Sequence, residues 1–448
     1  MITNAEVKLW GDTVGSLVWN DQRRYALFEW NKDFLKKGFD LAPIIMPVNT
    51  INPGVVYSFP ATEEVEWKVF KGLPGFIADS LPDSFGNRLI DKWLEKQGRI
   101  AGSFSPIERL CYTGRRGIGA LEFFPANFED DKIVAIDVAK LVELAESVFL
   151  ERKDLQTNIS YGEQAMVDII RVGTSAGGAR PKAVIAYNET TGEIKSGQIA
   201  EIPEGFAHWL LKLDGVTNSA ELGLASGMGR VEYAYHLMAK DCGIEMTECR
   251  LLEENGRAHF MTRRFDRPEA NEKIYMQSLC AIAGMNYAVM GAYDYNQVYS
   301  VIRQLRLPHT SIEQQYRRMV FNVLVQNCDD HTKNIAFLMD KKGTYFLTPA
   351  FDVSYAYDPT GRWNFQHFLS VNGKYKNITI TDLQKVGSEQ SIKNAKHIIE
   401  NIKEVVANWP QYAKETGVPQ VLTESIKKAH ELLNNGRSSR NYRHNPCR

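Results

Sequence analysis

No apolar run in the 448-residue chain approaches the roughly eighteen residues that a membrane-spanning helix needs, so no membrane role is expected. The opening MITNAEVKLWGDTVGSLVW has no basic segment leading into an apolar core; no export signal is read there, and a cytoplasmic protein is expected. Cysteine is scarce. The six present (Cys111, Cys242, Cys249, Cys280, Cys328, Cys447) show no C-x-x-C and no zinc-like spacing, and a chain of this size has no need of disulfide staples. A surplus of either charge is missing too: 53 basic residues against 54 acidic leave −1, which removes any global field for nucleic acid or membrane but leaves local patches open. What is present is an ordinary soluble composition, 44% hydrophobic and 24% charged, in a chain long enough for two or three packed units.

The chemistry concentrates in CDDHTKNIAFLMDKKGTYFLTPAFDV, Cys328 to Val353. Two apolar runs, Ile335 to Met339 and Tyr345 to Leu347, flank Lys341-Lys342-Gly343, a turn whose glycine can take positive φ, and they predict a β-hairpin. The residue entering the first strand then lies beside the one leaving the second, so Asn334 and Asp352 are expected as neighbours across eighteen positions. Asp329 precedes Asn334 by five positions, at the end of a predicted helix, and the three polar groups are expected to converge. Such a trio suits phosphoryl transfer, which needs oxygen ligands for Mg²⁺ and a carboxylate to orient a hydroxyl for in-line attack. Asp329 would accept the hydroxyl proton, with Asn334 and Asp352 on the metal. The Asp-x-x-x-x-Asn spacing alone arises about once by chance in a chain this long, so the hairpin and Asp352 carry the inference. The plainer alternative is a surface turn with solvated carboxylates.

NCDDHTKNIAF followed by LTPAFDVSYAY resembles the catalytic and metal-binding motifs of the HipA family, bacterial serine/threonine kinases that act as toxins in toxin–antitoxin pairs. The resemblance covers most of the chain. It implies ATP and Mg²⁺ as cofactors and a protein serine or threonine as acceptor, with an aminoacyl-tRNA synthetase or another translation component as target. It also implies a helix-turn-helix antitoxin and, through it, operator DNA. The fold class read from pattern and resemblance is α+β, a two-lobed protein-kinase-like fold. Residues 1–100 would form an N-terminal β-rich subdomain, 101–265 a nucleotide-binding lobe with a Gly-rich loop, and 266–448 a mainly helical C-terminal lobe carrying the catalytic and metal-binding motifs.

The rest of the chain fits around that site. From Glu6 to Tyr57, short apolar runs alternate with Gly, Asn-Asp and Pro, a strand-and-turn pattern. GLPGFIADSLPDSFGNRLIDKWLEKQG then turns helical, with Asp83 and Ser84 placed to cap, and its charges read as helix surface. The family's similar LPD-containing segment belongs to the N-terminal subdomain. YTGRRGIGALEFFP reads as turns between packed strands, since no helix follows to complete a phosphate cradle.

In VGTSAGGARPKAVIAYN, Val172 to Asn188, paired glycines let the backbone approach an anion and Lys182 adds positive charge at the far end. It is neither a P-loop nor a kinase G-x-G-x-x-G loop, and a β-turn is an equal reading. The resemblance implies nucleotide contacts from Ser175, Ala176, Gly177, Gly178 and Lys182, and sets Ser175 on the serine that relatives phosphorylate on themselves. Lys212 ends the strand-like HWLLK; a kinase uses such a lysine on nucleotide phosphates, and snorkelling to solvent is the alternative. Glu232, on a helix predicted over 220–242, is a candidate ion-pair partner for it. HFMTRRFDR resembles the segment joining the lobes, which implies that the backbone at Arg263 and Phe265 faces adenine. The Arg263 and Arg264 side chains read equally well as solvated charges, and Asp266 as a turn residue.

Three helical patterns follow, the last of which delivers Asp329 into the site. Asp330 is adjacent, but the kinase spacing favours Asp329. His331 is a nucleotide-proximal candidate with a structural hydrogen-bonding role as its alternative, and Lys333 either touches phosphate or faces water. The last residues, GRSSRNYRHNPCR, carry four arginines and no acid, and are expected to be disordered unless they touch nucleic acid. Two other functions stay open. A small-molecule kinase of the aminoglycoside type uses the same Asp, Asn and Asp logic. A non-catalytic corepressor would bind the antitoxin and its DNA, but grouped carboxylates without a cation repel one another.

Overall fold

Period-two burial near the N-terminus resolves into a sheet. The computed structural model describes residues 2–96, 98–100, 103–126, 135–149, 181–197, 201–216, 226–269, 271–361 and 363–434. In it β1 (Asn4–Leu9), β2 (Asp12–Asn20), β3 (Tyr25–Trp30) and β4 (Val56–Ser58) form an antiparallel meander. Val7, Leu9, Val14, Leu17, Ala26 and Phe28 are wholly buried in its core. The other edge of β1 pairs with β5 (Leu121–Phe124), so this sheet runs past residue 100, where the sequence reading ended it: β1 has two hydrogen-bonding edges and both are filled.

The second sheet is built from β6 (Lys182–Tyr187), β7 (Ile194–Ser196), β8 (Ala207–Lys212), β9 (Cys249–Glu254) and β10 (Arg257–Arg263), in the order β7-β6-β8-β10-β9. One face, with Ala183, Ile185, Trp209, Leu211 and Met261, packs on Leu89, Ile90 and Leu94 of the helix Ser84–Lys96 and on Leu141, Val142 and Ala145 of the helix Val138–Phe149. The helical pattern read from GLPGFIADSLPDSFGNRLIDKWLEKQG therefore has this sheet as its partner.

A third sheet joins β11 (Tyr275–Ser278) to the stretch after Cys328; β12 (Tyr293–Asp294) intervenes in the chain and belongs elsewhere. The predicted hairpin forms as β13 (Ala336–Met339) and β14 (Tyr345–Leu347), turning through Gly343 at φ +80°, with β11 along the other edge of β13. Met339 and Tyr275 are buried in the N-terminal core, and Tyr345 Oη donates to the Asp40 carbonyl at 2.7 Å.

Contacts divide the chain into two units. The first is Met1–Gly229, Thr247–Ala288 and Thr332–Thr348; the second is Arg230–Met246, Val289–His331 and Pro349–Arg448. The hairpin, read from sequence as part of the helical lobe, falls in the first unit because its strands extend β11. The second unit is mainly helical, with Tyr295–Gln304, His309–Leu324, Ile380–Glu389, Ala395–Ala407, Trp409–Glu415 and Gln420–Asn434, and a short parallel pair of β12 with β15 (Leu369–Ser370). Helix starts follow capping chemistry: Asp294 and Gln297, and Thr379 and Asp382, form reciprocal capping boxes. The fold class is α+β, β-rich toward the N-terminus and helical toward the C-terminus.

One sequence reading is corrected here. Arg264 is not a solvated charge: with Asp266 and Arg267 it forms a buried lock. Asp266 accepts from Arg264 Nε (2.9 Å) and Nη2 (2.6 Å), from Arg267 Nη1 (2.9 Å) and from the Gly119 N–H (2.9 Å). The two guanidinium groups also donate to the carbonyls of Gly117 and Gly119, tying down the Gly-rich turn before β5. Burial alone would raise the Asp266 pKa, but the two arginines hold it well below the usual carboxylate range. Its contribution to stability is therefore present above about pH 4 and is lost as pH falls toward the depressed folded value. Replacing it, Asp266→Asn, leaves two buried guanidinium groups without a counter-charge and is expected to cost about 3–5 kcal/mol in urea denaturation. A loss below about 1 kcal/mol, the range of an exposed pair, would show that the lock is not structural.

Candidate active site

Asn334 ends a three-residue 3₁₀ turn, Thr332–Asn334, immediately before β13. Thr332 Oγ1 donates to the Met285 carbonyl at 2.6 Å, and the Ile335 carbonyl accepts from the Leu279 N–H at 2.7 Å. Both sides of the turn are thus fixed to the segment after β11. Lys333, given on sequence as a phosphate contact or a solvated charge, sits with its Nζ 5.3 Å from the Tyr287 ring centroid. Burial opposes its charge, but Asp79 and Tyr287 raise its pKa.

The hairpin does not by itself bring positions 334 and 352 together. Phe337 pairs with Leu347 and the Thr348 N–H donates to the Ala336 carbonyl, so in this register the position opposite Asn334 is 350. Ala350 instead bridges to Met246 and its N–H donates to Glu245, so the chain has left the hairpin. What fixes Asp352 is a second stitch, the bridge between Ala356 and Asn327. There the Ala356 N–H donates to Gln326 (3.1 Å) and the Cys328 N–H to Ala356 (3.2 Å). Within the second unit, the segments bearing Asp329 and Asp352 are therefore adjacent. Asp352 has φ +54°, a left-handed conformation that non-glycine residues adopt at a cost and that clusters at functional sites.

The two neighbouring aspartates differ sharply. The Asp330 carboxylate is buried and accepts from the Phe368 N–H (2.8 Å) and Tyr295 Oη (2.9 Å), with His367 Nδ1 at 3.1 Å. The Asp329 side chain is 54% exposed, with His331 Nε2 at 3.7 Å, and His331 meets the Phe368 ring edge-on. Asp330 is thus a structural anchor, and Asp329 has the exposure that a reacting carboxylate needs.

On the second sheet, Lys182 and Lys212 are directly opposed across β6 and β8, and Phe260 is opposite Lys212 on β10. Directly opposed residues point to the same face, here the one away from the Ala183 and Leu211 cluster. Both lysines are buried, so the snorkelling reading of Lys212 does not hold. The Lys212 Nζ lies 5.6 Å from the Phe260 ring centroid.

Other candidates are placed as follows. The Arg263 N–H is engaged by the Glu248 carbonyl (2.8 Å) and its carbonyl accepts from Thr247 Oγ1 (3.1 Å), so its main-chain donor is committed within the protein. Phe265 is partly buried in the turn before Asp266. Glu232 is buried on the helix Met228–Asp241, in the second unit. Ser175, Ala176, Gly177 and Gly178 lie outside the described residues. Sequence reading missed Asp214, which accepts from the N–H groups of Gly227 (2.9 Å) and Gly229 (3.2 Å) at the start of that helix. It also missed the Asp330, His367 and Tyr295 network, for which sequence offered no signal beyond a buried-looking aromatic run.

Among the described residues no three His, Cys, Asp or Glu side chains are grouped to cage an ion. Asn334 offers an amide oxygen in the first unit and Asp352 a carboxylate in the second, each a donor type that suits a hard cation. No helix among the described residues is long and apolar enough to cross a membrane.

An α+β chain with a lysine-bearing antiparallel sheet, an Asn-bearing hairpin and a mainly helical second unit is the class of protein defined here. The model of the HipA N-terminal domain matches residues 5–124 and that of the HipA-like C-terminal domain matches residues 174–409, and the chain belongs to the HipA family. HipA from Shewanella oneidensis MR-1, solved with HipB and its operator DNA, shares the fold: TM-score 0.62, 17% identity, 96% of each chain covered. The Helicobacter pylori proinflammatory kinase CtkA gives a TM-score of 0.34 at 11% identity over 51% of this chain and 87% of that one, too low to bear on the fold.

The anchor at Asp330 carries its own test. Burial opposes charge on His367, while Cys328 and Asp330 raise its pKa well above that of an ordinary histidine. Its contribution to stability is therefore complete below the unfolded value and is lost as pH rises through the raised folded value. In NMR titration the wild-type imidazole is expected to keep its proton to higher pH than an ordinary histidine, and in Asp330→Asn to lose it at lower pH than in the wild type. Equal pKa values in the two proteins would show that Asp330 does not hold it.

Proposed function

We propose that this chain is an ATP- and Mg²⁺-dependent serine/threonine protein kinase. The observation that carries the reading is the bridge between Asn327 and Ala356, which sets the segment of an exposed Asp329 beside that of a left-handed Asp352. Asp329 orients the acceptor hydroxyl and takes its proton as the bond from its oxygen to the γ-phosphorus forms and the bond to the ADP oxygen breaks. Lys182 and Lys212, directly opposed on adjacent strands, hold the nucleotide phosphates through charge-assisted hydrogen bonds. Asn334 and Asp352 supply oxygens to the metal, which when bound neutralises charge on the β- and γ-phosphate oxygens. His331 orients Asp329 from 3.7 Å.

The acceptor we propose is a hydroxyl of a translation component such as an aminoacyl-tRNA synthetase, with Ser175 as a site of self-phosphorylation. HipA of Shewanella oneidensis assembles with HipB and operator DNA; by analogy the partners of this chain are a helix-turn-helix antitoxin and, through it, DNA. A cytoplasmic location suits such partners.

With γ-labelled ATP, Asp329→Asn is expected to cut transfer by about 10²–10⁴-fold while nucleotide binding persists. Asp352→Asn should raise the Mg²⁺ needed for half-maximal rate, and Lys212→Met should raise the KM for ATP. A wild-type protein that neither binds nor turns over ATP, yet shifts operator DNA with its antitoxin, would overturn the reading in favour of a corepressor.

A further inference from the structure

The segment GFIADSLPDSFG, given no role by the sequence, makes a specific attachment. The Asp79 carboxylate accepts twice from one residue: Oδ2 from the Ser278 N–H at 2.6 Å and Oδ1 from Ser278 Oγ at 2.9 Å. Ser278 is the last residue of β11 and the N-cap of the short helix Leu279–Ala283, its Oγ accepting from the Ala281 N–H at 3.2 Å. The next residue, Leu279, donates its N–H to the carbonyl of Ile335, and Ser278 itself is paired with Ala336. Four residues, Asp79, Ser278, Leu279 and Ile335, thus connect the N-terminal segment to the peptide that follows Asn334.

Two further contacts close this arrangement. Gly75 lies so close to the same helix that a Cβ there would meet the Ala281 carbonyl oxygen at 2.5 Å, leaving no room for the segment to slide. Asn286 Nδ2 donates to the Val65 carbonyl at 3.1 Å, beside Met285, whose carbonyl receives Thr332 Oγ1. Each anchor of the Thr332–Asn334 turn is therefore itself anchored by a residue from the N-terminal 80. All of these residues lie in the first unit.

We infer that Asp79 is a positioning residue for Asn334, acting through Ser278 and the Leu279 N–H bond to Ile335, so that the N-terminal domain completes the metal site. The inference rests on the role proposed above for Asn334. A carboxylate suits position 79 because its two oxygens each take one donor of the same residue, whereas an amide offers a single oxygen and no negative charge. The hydrogen bonds of the Asp79 carboxylate run to Ser278, on the route to the peptide after Asn334, so the main consequence is expected at the metal.

The test uses the full chain with Mn²⁺ as the probe for the divalent site, titrated by electron paramagnetic resonance in the presence of ATP. Asp79→Asn is expected to weaken Mn²⁺ binding by about 10–100-fold, the usual effect of losing an outer-shell partner. ATP affinity measured without metal should stay at the wild-type value, and saturating Mg²⁺ should restore most of the transfer rate. Hydrogen exchange at the Leu279 amide should speed up in the same variant. Ser278→Ala, which keeps the carboxylate and loses only the hydroxyl, should shift both readouts less and in the same direction, and serves if Asp79→Asn does not fold. Unchanged Mn²⁺ affinity in a variant whose Leu279 amide exchanges faster would overturn the inference, as would an unchanged Leu279 amide. A wild-type protein that binds no Mn²⁺ with ATP overturns instead the metal role of Asn334, and Leu279 exchange then decides whether Asp79 holds the turn.

Discussion

A backbone bond from the Leu279 N–H to the Ile335 carbonyl at 2.7 Å fixes one side of the short turn that carries Asn334. A metal-binding or catalytic group has to be kept within about 0.5 Å of its working position. A three-residue turn has no hydrogen-bond ladder of its own to achieve that. The stiffness is borrowed from β11 on one side and, through Thr332 and Met285, from the start of the following segment on the other. The same economy recurs at Asp352. Its left-handed backbone persists because Ala350 and Ala356, on either side, are each bridged to another strand-like segment.

Charge is managed by pairing within small buried groups rather than by an overall field. Arg264, Asp266 and Arg267 neutralise one another around the Gly117–Gly119 turn, and Asp330 gathers Tyr295, His367 and the Phe368 N–H. Lys182 and Lys212, both buried, are directly opposed on adjacent strands of the second sheet.

Much of this was legible in the chain itself. The hairpin announced itself by two apolar runs around Lys-Lys-Gly, whereas the burial that sets Asp330 apart from Asp329 is not written in their adjacent positions. What stayed hidden depends on distant residues. Nothing local to LEFF says that it pairs with β1 more than a hundred positions earlier. RRFDR reads as solvated charge because burial is a property of the surroundings, not of the residues. The positive φ of Asp352 follows from bridges at Ala350 and Ala356 that no turn motif encodes, and the bond from Asp79 to Ser278 joins positions 199 apart. The hairpin's register leads from Asn334 to position 350, and a different bridge governs Asp352.

Crystals of the full chain grown with Mn²⁺ and a non-hydrolysable ATP analogue, examined by anomalous scattering at the manganese edge, test the central claim most directly. The expected result is a manganese peak about 2 Å from the Asn334 side-chain oxygen and from the Asp352 carboxylate, with the analogue's phosphates on Lys182 and Lys212. Manganese bound away from both residues, or an Asp352 carboxylate turned from the Asn334 amide with packed side chains between them, would contradict it.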